Sequence, residues 1–275
     1  MLRFPLFGIP VGIHATFLII ALFGLGAFSG IDLVAWTVGV GLAVLLHEFG
    51  HALTARAYGA TAITVTLFAL GGFTTWAPGE TPIGPGKRFF IAASGSAIGI
   101  AGGAAVIGAV YGARAIDLIS GIDGFPEALL FSFVYAAGFW GLFNWLPMLP
   151  LDGGHMAQSL LELWVSRKKA LEAVRVLTVV AAVVAGAYLF LAWESMFGAI
   201  WVGIIAVSGV RLATAELTRL QAQTRPPVDE AVHYGSLGPN DSEDDLGGGG
   251  TNDEPTPQRP ATEETSPPDP PAFPL

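Results

Sequence analysis

The 275-residue chain is 52% hydrophobic and 13% charged, against roughly 25% charged in soluble domains, a balance that excludes a water-soluble globular body and points to a polytopic membrane protein. Its formal net charge of −9 is confined to one end, because from Arg219 onward eleven Asp and Glu stand against three Arg; the rest is nearly neutral, and no nucleic-acid partner is expected. With no cysteine, disulfide frameworks and thiolate metal ligands are excluded, so a metal would have to be held by His and carboxylate.

Charge-poor runs long enough to cross a hydrocarbon core of ~30 Å predict about six transmembrane helices, near residues 12–31, 33–56, 89–112, 128–146, 173–193 and 195–212. The first follows Met1-Leu2-Arg3 and resembles a signal sequence, but its run from Ala15 to Ile31 lacks a clear cleavage site and reads as a spanning helix. His14 sits early in it, as an interfacial histidine or as the flank of a substrate entrance. The second span contains His47-Glu48-Phe49-Gly50-His51. Residues four apart share one helix face, so His47 and His51 can offer two imidazole nitrogens to one metal ion. Glu48 then lies beside that metal, the arrangement in which water is activated and a carboxylate takes its proton. Ionisable groups cost on the order of 2.5–3.5 kcal/mol at bilayer depth on insertion scales, which makes these residues functional candidates.

Between the second and third spans, Thr61 to Trp76 alternates apolar residues with threonines around Gly71-Gly72 and reads as a short β-hairpin. It is either a plain cytoplasmic hairpin or an edge that pairs with an extended substrate segment. After the fourth span comes Asn144-Trp145-Leu146-Pro147-Met148-Leu149-Pro150-Leu151-Asp152-Gly153-Gly154-His155. Its prolines break the helix and its glycines allow a sharp turn, which at membrane depth is expected only where backbone lines a protected cavity. Asp152 is the candidate third ligand, its alternative being an N-cap of the next helix. His155 reads as a neighbour that supports the metal ligands or as polarity at a helix start, and not as a fourth ligand, because four protein ligands would close a metal to water.

From Arg219 the chain carries eleven Pro and the Gly247–Gly250 run and cannot bury enough apolar surface to fold. The expected organisation is a six-span core over 1–213 and a disordered, acidic, Pro/Gly-rich cytoplasmic tail over 214–275, whose Pro-rich end is a recruiting segment for an unknown partner or simply solvated. Twelve of the thirteen Lys and Arg fall on one side of these spans and only Arg114 on the other. That asymmetry puts both termini in the cytoplasm and His47 roughly 14 Å above the cytoplasmic end of its helix.

The His47-Glu48-Phe49-Gly50-His51 motif, the Gly71-Gly72 hairpin and Asn144-x-x-Pro147 leading into Pro150-Leu151-Asp152-Gly153-Gly154-His155 together resemble the site-2 protease family of intramembrane zinc metalloproteases, over about residues 10–213. The resemblance implies Zn²⁺ held by His47, His51 and Asp152, with Glu48 as catalytic acid/base. It further implies that Asn144 holds substrate or stabilises the oxyanion. The third span departs from the pattern: Ala92-Ala93-Ser94-Gly95-Ser96-Ala97-Ile98-Gly99 stands where many members have a Gly-Pro pair followed by Asn, and its small residues suit close helix packing. No large inserted domain lies between the spans. The implied function is zinc-dependent endoproteolysis within or near transmembrane segments of single-span membrane proteins, in a cell membrane that by resemblance is a bacterial inner membrane. Two rivals are an intramembrane metal-ion transporter, which leaves Glu48 unexplained, and a catalytically silent membrane scaffold, which leaves the whole motif set unexplained.

Overall fold

The computed structural model describes residues 1–69 and 71–223, together with the backbone of Phe273 and Pro274. The chain begins with a β-hairpin, β1 (Leu2–Leu6) and β2 (Ile9–Ile13), closed with Leu6 opposite Ile9. Its two turn residues, Phe7 and Gly8, have φ of 50° and 76°, the left-handed pair that a tight hairpin turn requires. A 3-10 turn (Ala15–Ile19) and the short helix α1 (Ile20–Gly24) follow, and then the 28-residue helix α2 (Gly30–Ala57). Strands β3 (Thr61–Phe68) and β4 (Gly71–Ala77) form the predicted hairpin. That hairpin is not isolated, since β2 pairs in parallel with β3, with Val11 opposite Val65 and Ile13 opposite Leu67. On the far side, β5 (Phe273–Pro274) pairs with Trp76 and Thr75, giving a five-stranded sheet in chain order.

Helices α3 (Pro85–Ala115), α4 (Phe125–Phe143), α5 (Asp152–Leu161), α6 (Arg167–Trp193) and α7 (Met196–Gln223) complete the described chain. Five helices, α2, α3, α4, α6 and α7, are long and apolar enough to cross a membrane. The α6 face formed by Val176, Val180, Val183 and Val184 is at least half exposed, an apolar stripe that water would not tolerate and lipid accepts. The protein is a multi-pass membrane protein.

The first predicted span is not one long helix. Residues 2–6 and 9–13 are strands and only Ala15–Gly24 is helical, about 15 Å at 1.5 Å per residue. Hydropathy reports the apolar run but not its conformation. At the other end α7 continues to Gln223, ten residues past the boundary read at 213. Apart from the two residues of β5, the rest of the tail expected to be disordered lies outside the described residues.

Glycines set the helix spacing around α2. A Cβ on Gly39 would lie 2.7 Å from the Leu129 carbonyl oxygen of α4, and one on Gly50 would lie 2.6 Å from the Ser94 carbonyl oxygen of α3. Both neighbours therefore approach α2 at backbone distance. The sheet packs on the same helix, with Val11, Val65, Leu67 and Trp76 buried in one apolar cluster with Val44, Phe49 and Ala52.

Candidate active site

Helix α2 is buried on every side from His47 to Ala52, and there it presents His47, Glu48 and His51, exposed by 4%, 4% and 1%. The helical spacing stacks the two imidazoles edge to face with ring centroids 4.8 Å apart and Nε2 atoms 3.1 Å apart. Asp152 is brought to them from the start of α5, its Oδ2 3.2 Å from His47 Nε2 and its Oδ1 3.2 Å from His51 Nε2. Leu151, not Asp152, is the N-cap of α5, which leaves the carboxylate for the histidines.

The loop that delivers Asp152 is tied down at several points. Asn144 ends α4, is buried, and accepts the Gly153 N–H on its carbonyl at 2.6 Å. A Cβ at Gly153 would run into the Trp145 and Leu146 carbonyls, so only glycine allows this crossing. The Leu149 N–H, deep in the protein, donates to Thr178 Oγ1 of α6 at 2.9 Å. A Cβ on Gly209 would collide with the Leu149 carbonyl, so α7 also presses on the loop.

His51 Nδ1 is 2.7 Å from the Ile91 carbonyl of α3. A carbonyl only accepts, so Nδ1 donates, and neutral His51 turns an unprotonated Nε2 toward His47 and Asp152. His47, His51 and Asp152 each place one ligand atom within 4.8 Å of the others. Such a convergence of buried lone pairs calls for a cation, and two imidazoles with one carboxylate form a zinc-type donor set that leaves a fourth position open. The residues fit Zn²⁺.

Glu48 packs against the sheet. Thr74 of β4 is fully buried, and its Oγ1 is 2.8 Å from Glu48 Oε2 and 3.1 Å from the Glu48 carbonyl oxygen. A Cβ on Gly72 would meet Glu48 Oε1 at 2.7 Å, so the glycine leaves the carboxylate its space. The Asn144 amide nitrogen is 3.5 Å from His47 Nε2, facing the same cluster.

All five residues singled out from the sequence are thus gathered at one place. His14 and His155 are not part of the donor group. His14 caps the 3-10 turn, its Nδ1 accepting the Thr16 N–H at 3.3 Å, while His155 has a buried Nε2 with no hydrogen-bond partner among the described residues. Sequence reasoning missed Thr74, Ser96 and the Ile91 carbonyl. Single hydroxyls and a backbone oxygen carry no motif, and only the packing of β4 and α3 on α2 reveals them.

No protein-family model matches the chain. Rip3 of Mycobacterium tuberculosis, named as a zinc metalloprotease, is 34% identical over 206 residues, which cover 69% of this chain and 49% of Rip3. The zinc metalloprotease MJ0392 of Methanocaldococcus jannaschii is 28% identical over 165 residues, 58% of this chain and 44% of that one. This chain spans about half the length of the curated relatives it matches. Among solved structures, the site-2 protease from Methanocaldococcus jannaschii superimposes with a TM-score of 0.55 at 21% identity, covering 76% of this chain and 94% of that one, a likeness of fold. With its His-Glu-x-x-His helix and Asp-Gly-Gly turn, the chain is similar to zinc metalloproteases and has the fold of a site-2 protease.

Proposed function

We propose that the protein is a zinc-dependent intramembrane endopeptidase that hydrolyses peptide bonds within or near the transmembrane segments of single-span membrane proteins. The observation that carries this reading is the buried convergence of His47, His51 and Asp152 next to a buried carboxylate, Glu48, that accepts a hydrogen bond from Thr74.

His47, His51 and Asp152 would hold the zinc ion. Zinc bound there supplies Lewis acidity, lowering the pKa of a water and polarising a carbonyl. Glu48, one residue from a ligand and at 4% exposure, takes the proton of the attacking water and passes it to the leaving amine. Asn144 directs its amide into the same space and donates to the developing oxyanion. Burial of the whole group keeps bulk water from competing with these bonds.

The substrate must present extended backbone, because a helix hides its amides in its own hydrogen bonds. Strand β4 supports this step: it is the outer strand of the four formed by residues 2–77, and β5 already pairs with it at Thr75 and Trp76. A substrate segment added along β4 would pass Thr74, whose hydroxyl touches Glu48.

The positive-charge asymmetry supports a topology with both termini in the cytoplasm and the catalytic group in the inner half of the bilayer, in a membrane that by resemblance is a bacterial inner membrane. Residues beyond α7 form the acidic cytoplasmic tail.

Elemental mass spectrometry of purified wild-type, Glu48→Gln and Asp152→Ala protein tests the proposal. About one zinc per chain, kept by Glu48→Gln and weakened by Asp152→Ala, together with uncleaved membrane precursors accumulating in Glu48→Gln cells, is the expected result. Folded wild-type protein purified without chelator and containing no zinc would refute it. Metal flux that survives in Glu48→Gln would favour a transporter.

A further inference from the structure

Ser96 lies in the middle of α3 and is fully buried. Hydroxyl side chains inside helices usually turn back on the carbonyl one turn earlier, and Thr37, Ser132, Thr178 and Ser208 do so here, each bonding to the carbonyl of residue i−4. Ser96 departs from that habit. Its Oγ donates to Asp152 Oδ2 at 3.1 Å, across 56 positions of sequence.

Asp152 needs such a partner. The terminal torsion of a carboxylate is broad, and at Asp152 the two oxygens each face a histidine Nε2 at 3.2 Å. The Ser96 hydroxyl adds a neutral donor to one oxygen and so restricts rotation of the carboxylate away from that orientation. Its reach depends on the glycines beside it. A Cβ on Gly95 would strike His51 Nε2, and one on Gly50 would meet the Ser94 carbonyl oxygen at 2.6 Å, so α3 comes close enough for a one-carbon side chain to touch the carboxylate of α5.

We propose that Ser96 is a positioning residue of the metal centre, fixing the rotation of the Asp152 carboxylate and thereby raising the affinity for zinc. The inference rests on the zinc reading above. Hydrogen-bond partners of metal ligands typically contribute 10–100-fold in affinity, and a loss of about that size is expected for Ser96→Ala.

Zinc affinity of the full chain in detergent, measured by competition with a chromophoric chelator, provides the test, with the melting temperature of the metal-free protein alongside. Ser96→Ala should bind zinc about 10–100-fold more weakly while the metal-free melting temperature is unchanged. In an Asp152→Ala background the same substitution should have no further effect, because its partner is gone. Wild-type affinity in Ser96→Ala overturns the proposal, as does an equal loss in the Asp152→Ala background or a lowered metal-free melting temperature that accounts for the loss. Wild-type protein that binds no zinc at all overturns the metal reading itself, an outcome separate from these three.

Discussion

Gly50→Ala tests how tightly helix packing is coupled to the metal site. The new methyl would sit 2.6 Å from the Ser94 carbonyl oxygen and 2.8 Å from Gly95 Cα, where ordinary van der Waals contact needs 3.4 Å or more. Both obstacles are backbone, so no side chain can swing aside, and α3 must retreat by about 0.8 Å. Overpacking of this kind costs about 1–3 kcal/mol. The retreat also reaches function: His51 Nδ1 donates to the Ile91 carbonyl of α3 at 2.7 Å, and adding ~0.8 Å along that direction takes it to the limit of a hydrogen bond. His51 would lose the contact that sets its tautomer, with zinc binding expected to weaken about 10-fold or more. Thermal unfolding in detergent and chelator competition measure the two effects on the same sample. Gly50→Ala protein with wild-type melting temperature and wild-type zinc affinity would refute the claim that α2 and α3 meet at backbone distance.

Thr74→Val keeps the β-branched shape of a buried strand residue but removes the hydroxyl that contacts Glu48 Oε2 at 2.8 Å. Cleavage of an accumulating precursor should slow by about tenfold with zinc content intact, and Thr74→Ser should restore it; equal rates for wild type and Thr74→Val would show that the contact is idle. The chain lacks cysteine, so Thr75→Cys combined with Pro274→Cys, residues opposite one another in the β4–β5 pairing, gives a clean cross-link. Directly paired strand residues lie within disulfide reach, and a mobility shift reversed by reductant is expected, whereas no cross-link under mild oxidation would remove β5 from the sheet.

What the sequence made legible was local or strongly punctuated. His47 and His51 are one helical turn apart, so their shared face follows from the helix alone. Asp152 is announced by Pro147, Pro150 and the following glycines, which cannot continue a helix in lipid. The long spans followed from apolar length, although α3 begins at Pro85 and α6 at Arg167, earlier than the charge-poor runs suggested, because Lys and Arg stems extend a helix into the interface. The first span misled because apolar content is common to strands and helices, and the parallel pairing of β2 with β3 joins segments about fifty residues apart. Ser96 and Thr74 stayed silent for a related reason. A hydroxyl in an apolar run is ordinarily bonded to its own helix or strand neighbour, and its partner across the fold is decided by glycines elsewhere, at 50, 72 and 95.

A sheet beside membrane-crossing helices must account for its edges, since unpaired backbone facing hydrocarbon costs several kcal/mol per group. Here β2, backed by β1, covers the β3 edge; a helix begun at residue 12 would leave β3 without a partner on that side. On the other edge, β5 pairs with Thr75 and Trp76 only, and the stretch Gly71–Thr74 has no outer strand among the described residues. That stretch contains Gly72 and Thr74, the two residues that abut Glu48. The backbone left open is therefore the part nearest the Glu48 carboxylate. The proposed endopeptidase activity would use unsatisfied strand backbone at that point, because each amide released when a substrate helix unwinds must find a new partner before the peptide bond can be attacked.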